Sequence, residues 1–489
     1  MTRSIHKLQT LALLALALFT PSLFAADDWR DEVIYFVIVD RYADGRADNN
    51  DDVDIHHKGS YHGGDFVGLT QNLDEIADLG VTALWITPVV KQIDRFVEGA
   101  GFPDWPYHGY WADDFNRLEP HFGSEAELKA LVDAAHARGI KVLVDVVYNH
   151  AGYLSSYTKA DNANEWLRTG RRGSLCGDDD LTQCLSGLPD FKTENPEVAD
   201  YLLKAHLGLA KRVGLDGFRL DTVKHVDHPF WAEHRKRSRA ELGDDFFLLG
   251  EVWGGDAKVL DPWFSGDELD AGFDFGFRGS AMAFVQGRGR TIAFSRYLLK
   301  RHKVREGHFL SQYLSSHDET GALHELQGNK VLFKLCAALQ MATSGIPTVF
   351  YGEEVARDIG PWPFNRSHMP WGDKATMPGA GEKRDEDMRA YYKQLIATRR
   401  AHKALSRGEY QELSVEGDLL VFGRKWQDDL VVVAVNRSSE SSQISLHLPA
   451  QWKDKALLDA LGTGMAQIVG ESLELTVPAR TAAYFHEKP

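Results

Sequence analysis

Eight short apolar, β-branched runs punctuate the chain at 33–39, 83–87, 140–147, 216–220, 246–252, 271–275, 309–314 and 346–351, and each gives way to a segment of helical periodicity. A strand that is apolar along its whole length must be covered on both faces. Regular alternation with helices supplies that cover and marks a parallel sheet. Eight such units predict a closed (β/α)8 barrel, which needs about 250 residues; with 489 residues the chain has room for more. Helix starts are signalled too. Ser124 with Glu127 fits a capping box, and Asn195 followed by Pro196 fits an N-cap with proline in the first turn. The sixth run and the segment before it are the least regular.

Two departures from the alternation divide the chain. Residues 150–193, rich in Gly, Asp, Ser and Thr, separate the third run from the next helix. A long insertion in a compact domain is usually functional, and this one is expected as a subdomain on the barrel's C-terminal face. Beyond the helix at 385–402 the pattern becomes strand-like, at 419–426, 430–436, 444–448 and 473–485. The expected organisation is therefore a barrel over 26–149 and 194–403, an inserted subdomain over 150–193, and a C-terminal antiparallel β-sandwich over 404–489.

Residues 1–25 carry Arg3 and Lys7, an apolar run at 11–19, and small residues at Ala25 and Ala26 ahead of Asp27. This is the pattern of a cleaved signal peptide, and the run is shorter than the roughly 20 apolar residues of a spanning helix. Export to the medium or the periplasm is expected, with no membrane partner. A formal net charge of −16 disfavours nucleic acid and anionic lipid and points to a neutral or small substrate. In an oxidising compartment Cys176 and Cys184, eight apart, could close a disulfide and leave Cys336 as a buried thiol; no Cys/His spacing suggests zinc.

Three acids end three different runs: Asp221 closes GFRLD, Glu251 closes FFLLGE and Asp318 closes QYLSSHD. A barrel brings such ends to one pocket. Arg219 lies two residues before Asp221, on the same strand face, where its charge keeps that acid ionised. One acid at a strand end usually does no more than pair with a cation. Three together, each beside a histidine, arginine or tryptophan, point to a site. His108, His150 and His317 fall at the same mouth, and Tyr110, Trp111 and Trp253 offer flat apolar faces, a combination suited to a hydroxyl-rich ligand such as a sugar.

In order along the chain, DVVYNH at 145–150, LPD at 188–190, GFRLDTVKH at 217–225, GEVW at 250–253 and SSHD at 315–318 resemble the signature segments of the α-amylase family, glycoside hydrolase family 13, with YHGYW at 107–111 as a further match. The resemblance implies retaining, endo-type hydrolysis of α-1,4-glucosidic bonds in starch, glycogen and maltooligosaccharides by a monomer. Asp221 would be the nucleophile, Glu251 the acid and base, and Asp318 the carboxylate that grips the sugar's 2- and 3-hydroxyls. Arg219, His150, His317, His108 and Tyr110 would hold the ring at the cleavage point, Asp145 would support Arg219, and Lys224 would contact the leaving side. A transglycosylase, or a relative that degrades maltooligosaccharides or cyclodextrins, is the alternative within enzymes. Cyclodextrin-forming relatives usually carry extra C-terminal domains, which favours hydrolysis for a chain of this length. A non-catalytic barrel subunit is the remote alternative, disfavoured because all three acids are present.

The same resemblance implies structural calcium. Asn149, Asp190 and the carbonyl of His225 would ligate one ion, with the shell completed from the insertion, where Asp178, Asp179 and Asp180 are candidates. Asp44, Asn49, Asn50, Gly63 and Asp65 would form a second site, although Arg46 stands where an asparagine is frequent; a solvated acidic loop is the other reading of that segment. Hard oxygen donors are what calcium takes.

Overall fold

A computed structural model describes residues 28–170 and 173–488; the expected signal peptide lies outside them. Eight parallel strands form a closed barrel: β1 (Ile34–Val37), β2 (Ala83–Ile86), β3 (Lys141–Val146), β4 (Gly217–Leu220), β5 (Phe247–Gly250), β6 (Ala271–Phe273), β7 (Phe309–Tyr313) and β8 (Ile346–Phe350). Each pairs with its sequence neighbour, and β1 closes the ring on β8 with Ile34 opposite Thr348. Their residues are almost all buried, which is why the strands read as continuous apolar runs. The sixth strand has three residues, and the connection before it holds only the short helix Asp261–Ser265.

The barrel's lower end is stoppered by Trp29, stacked on Phe247 at 3.9 Å. Neighbouring backbones come close where a side chain would not fit: a Cβ on Gly217 would lie 2.4 Å from the Phe247 carbonyl. Helix starts follow their signals. Ser124 and Glu127 form a reciprocal capping box, and Asn195 caps Pro196–Val213, which ends on left-handed Gly214 (φ 84°).

The connection from β3 to the helix Pro196–Val213 leaves the barrel as a small excursion. Leu167–Arg168 pairs with Asp190–Phe191 at its base, and a disulfide joins Cys176 to Cys184 with Cα atoms 5.4 Å apart. Cys336 is a buried thiol. A second excursion, after β2, pairs Val90–Gln92 with Ala112–Leu118 and Val97–Glu98 with Pro103–Asp104.

The C-terminal domain has a five-stranded antiparallel sheet and a three-stranded one. The apolar stretch 473–485, expected as one strand, is two: Ser472–Val477 belongs to the smaller sheet and Thr481–Glu487 to the larger, with Arg480 between them at φ 54°. Period-two alternation sorts the larger sheet's side chains. Val421, Val432 and Phe485 face the smaller sheet, while Phe422, Val433 and Tyr484 join the barrel's core. Tyr484 also donates to the Ala338 carbonyl across that seam. Among the described residues no helix is long and apolar enough to cross a membrane.

Candidate active site

β4 and β5 run side by side, so Asp221 and Glu251, one residue past the end of each, emerge together at the barrel mouth. Both line one cavity of about 800 Å³. Arg219 on β4 ties them: its Nη1 donates to Asp221 Oδ1 at 2.7 Å, and its Nη2 lies 3.0 Å from Glu251 Oε1. Strand register sets Arg219 opposite Asp145 of β3, and Nη1 reaches both of that carboxylate's oxygens at 3.0 and 3.1 Å. Arg219 is thus held on three sides, and the Trp85 ring lies 5.2 Å from its guanidinium carbon.

The electrostatics of the mouth bear on Glu251. Burial, together with the negative charges of Asp221 and Asp318, pushes the Glu251 carboxyl up to about 8, against the pull of Arg219. The Thr222 N–H donates to Glu251 Oε2 at 3.0 Å and fixes its orientation. A neutral acid next to a carboxylate bound to arginine is the arrangement that two-carboxylate chemistry requires.

Asp318 sits on the loop after β7, five residues past the strand's end, and remains exposed to the cavity. Arg366 Nη2 reaches its Oδ1 at 3.2 Å, and His317 Nε2 lies 3.2 Å from its Oδ2. Asn365 and Arg366 both donate to the His317 carbonyl, at 2.7 and 2.9 Å, so the segment after β8 clamps the loop that carries Asp318.

Tyr110 stacks on His317 at 5.3 Å, with planes 6° apart, and its hydroxyl donates to Asp145 Oδ2 at 2.7 Å. His150 Nε2 lies 3.2 Å from the Tyr110 carbonyl, and the Tyr110 N–H donates to His108 Nδ1 at 3.0 Å. Burial drives His108, His150 and His317 below the usual histidine range, and the Arg366 charge adds to this at His108 and His317. They are neutral rings that offer one donor and one acceptor each. Lys224 lines the cavity 3.5 Å from Asp180, and Trp111 and the half-exposed Trp253 line it as well. Asp145 lies beneath, as a support for Arg219.

The residues expected to hold calcium also meet. The Asn149 side-chain oxygen faces only acceptors, Asp190 Oδ1 at 3.2 Å and the His225 carbonyl at 3.0 Å from the same amide position. Three mutually facing oxygens suit a hard cation, although rotating the Asn149 amide would satisfy them without one. Burial pushes Asp190 up to about 7 despite Arg168, whose Nη1 lies 2.9 Å from Oδ2. Of the insertion's acids, Asp179 accepts from the Leu181 and Thr182 N–H groups while its charge bears on Asp190, and Asp180 meets Lys224 and Gln183. At the second cluster, Asn49 Oδ1 and Asn50 Oδ1 are buried without partners beside Asp44 and Asp65, and a Cβ on Gly63 would lie within 3.1 Å of the Asn50 and Asp44 oxygens. The Arg46 side chain turns out to Asp48 and Glu127 and leaves those oxygens clear. Both sets gather oxygen donors of the hard kind that calcium takes.

Several cavity residues were not singled out from sequence: Asp104, Tyr153, Gln183, Trp362 and Arg366. They sit on excursions and loops, where no strand end marks them.

Comparison with known proteins agrees with this fold. The family described as alpha amylase, catalytic domain, matches residues 36–170 and 177–369, and the alpha-amylase C-terminal domain matches 408–485. A cyclomaltodextrinase of Geobacillus thermopakistaniensis (strain MAS1) is 30% identical, over 88% of this chain and 73% of its own length. Neopullulanase 2 of Thermoactinomyces vulgaris is 30% identical over 90% and 74% of the two chains. Among solved structures, the alpha-amylase of Geobacillus thermoleovorans complexed with acarbose superposes with a TM-score of 0.82 at 29% identity, covering 95% of this chain and 99% of that one. A three-domain cyclomaltodextrin glucanotransferase, CldA, has a TM-score of 0.77 at 26% identity and is covered over 99% of its length, so chain length does not separate hydrolysis from transfer. With the barrel, the strand-end acids and the family match in agreement, the chain belongs to the α-amylase family of glycoside hydrolases.

Proposed function

We propose that the protein hydrolyses α-1,4-glucosidic bonds of short maltooligosaccharides, cyclic ones included, with retention of configuration. The observation that carries this reading is the single arginine shared by Asp221 and Glu251 at the wall of one cavity. Asp221 attacks the anomeric carbon as the glycosidic C–O bond breaks, and the Glu251 proton passes to the departing oxygen. Glu251, now a carboxylate, takes a proton from water, which attacks the same carbon and releases Asp221. Asp318 holds the ring's hydroxyls, and its charge helps Glu251 keep its proton.

The sequence alone favoured endo attack on starch. The relative named cyclomaltodextrinase favours the smaller, cyclic substrates, and the cavity volume lies in the range of pockets that enclose small ligands. Initial rates on β-cyclodextrin, maltoheptaose and soluble starch test this. The highest kcat/KM is expected on the first two, with maltose and glucose released. Rapid loss of starch viscosity with negligible cyclodextrin turnover would restore the endo reading, and products longer than the substrate would shift it to transfer.

Calcium belongs to the same proposal. Asn149, Asp190 and the His225 carbonyl would hold one ion that pins the insertion's base to the barrel, and Asp44, Asn49, Asn50, Gly63 and Asp65 a second; the ion supplies charge neutralisation. Chelation is expected to lower Tm by about 3 °C for each site emptied, since binding at a hundredfold excess over Kd contributes about 2.7 kcal/mol and a chain of this length unfolds with an entropy of roughly 1 kcal/mol per degree. An unchanged Tm and activity after exhaustive chelation would remove both sites. Export is proposed alongside, supported by the leader pattern and the Cys176–Cys184 disulfide.

A further inference from the structure

At the barrel's lower end, opposite the mouth, a second cavity of about 170 Å³ opens where the starts of β7 and β8 meet the segment that leads into the C-terminal domain. Arg30, Arg301, Arg305 and Arg407 line it, and the exposed Glu306 is the one lining acid among the described residues. Arg30, Arg305 and Arg407 each set Nε and Nη2 against one aspartate, Asp28, Asp261 and Asp31 in turn. Each leaves Nη1 without a partner among the described residues. Arg30 is steadied by two rings, its guanidinium carbon lying 5.3 Å from the centre of Phe309 and 5.7 Å from that of Trp426. His302 also lines the cavity, and Arg424 Nη1 lies 3.1 Å from its Nε2. An arginine can only donate, so the ring's proton sits on Nδ1, a further donor with no acceptor among the described residues.

Two more guanidiniums stand one backbone layer behind this wall. Arg399 and Arg424 are each 1% exposed, and among the described residues neither has a carboxylate within ion-pair distance. Arg399 donates to the carbonyls of Thr343, Leu405 and Gly345, and Arg424 to those of Ala404 and Gly408. Gly345 and Gly408 are themselves part of the cavity wall. Burial pulls both guanidiniums down to about 9. A buried charge is ordinarily paired, and carbonyl dipoles supply no net charge. This local surplus of positive charge stands in a chain whose formal net charge is −16.

We infer that the lower cavity binds a small oxyanion of the sulfate or phosphate type, held by Arg30, Arg305, Arg407 and His302, which ties the barrel to the segment entering the C-terminal domain. Guanidinium N–H groups match the oxygens of such an ion. The cavity is smaller than the roughly 300 to 1,000 Å³ of pockets that enclose organic ligands. It lies at the opposite ends of the strands from Asp221 and Glu251, so the inference is independent of the substrate reading.

Thermal unfolding of the full chain with calcium supplied tests it, sodium sulfate replacing sodium chloride at constant ionic strength. Sulfate is expected to raise Tm saturably, by about 3 °C at a hundredfold excess over Kd. Arg305→Ala and His302→Ala should each weaken the fitted sulfate affinity about ten-fold. Should His302→Ala fail to fold, Arg305→Ala carries the same expectation, because Arg305 pairs only with Asp261 in an exposed contact. Glucose 6-phosphate is the second probe. A saturable rise lost in the same variants would extend the site to phosphate esters, and no rise beside a sulfate response would confine it to the free ion. Sulfate also stabilises proteins generally, by exclusion from their surface. No rise in sulfate, a rise without saturation, or a saturable one of equal affinity in wild type and Arg305→Ala would overturn the site.

Discussion

Replacing Asp221 with asparagine is expected to lower kcat by at least about four orders of magnitude while leaving the fold intact. An amide has nearly the carboxylate's shape but cannot form the glycosyl ester, and no other acid at the mouth is placed to substitute. Asp318 lies on a separate loop and is held by Arg366, and Asp145 lies beneath, bound to Arg219 and Tyr110. The fold should tolerate the change, because Arg219 keeps Asp145 and Glu251 as partners. Turnover of maltoheptaose, with circular dichroism and Tm as controls, decides it. Activity within ten-fold of wild type in a folded variant would mean that the nucleophile is misassigned.

Glu251→Gln should cost about 10² to 10⁴ in kcat on maltooligosaccharides, the usual contribution of a positioned proton donor. Maltosyl fluoride, whose leaving group needs no proton, should show a much smaller loss in the first step. The pH profile carries an independent signature. Glu251 must be protonated to start the reaction, and its carboxyl is raised to about 8, so kcat/KM should hold through neutrality and fall about ten-fold per unit above roughly pH 8. The sign for stability agrees: a raised carboxyl binds its proton more tightly in the folded state. Its contribution is complete below the unfolded value near 4.5 and disappears as pH rises through about 8. An alkaline limb near pH 5 would contradict the placement of Glu251 among Asp221, Asp318 and the barrel wall.

Much of the barrel was legible because its strands are buried on both faces, which imposes unbroken apolar runs whatever the loops do. The weak sixth unit was legible as weak: three strand residues and a five-residue helix leave little pattern to read. The stretch 473–485 was misread as one strand because both of its halves are equally apolar. What separates them is a left-handed Arg480 and membership of different sheets. The acids, His150 and His317 were legible because they follow the ends of runs, and His108 because it falls in the YHGYW match. Asp104, Trp362 and Arg366 were not singled out, since they come from irregular connections whose paths over the barrel mouth depend on contacts remote in sequence.

Taken alone, the sequence determined the closed barrel, the appended β-domain, and the set of strand ends that meet at one mouth, because strand burial and strand order are written in local pattern. Only the tertiary structure decided that Arg219 serves Asp145, Asp221 and Glu251 together, that the segment after β8 clamps Asp318, and that the excursion after β2 supplies a wall of the cavity. Apart from Arg219–Asp221, neighbours on one strand, these contacts join residues tens of positions apart in the chain. Their geometry, and the proton held on Glu251, come from desolvation and charge within an enclosed space that no local segment encodes.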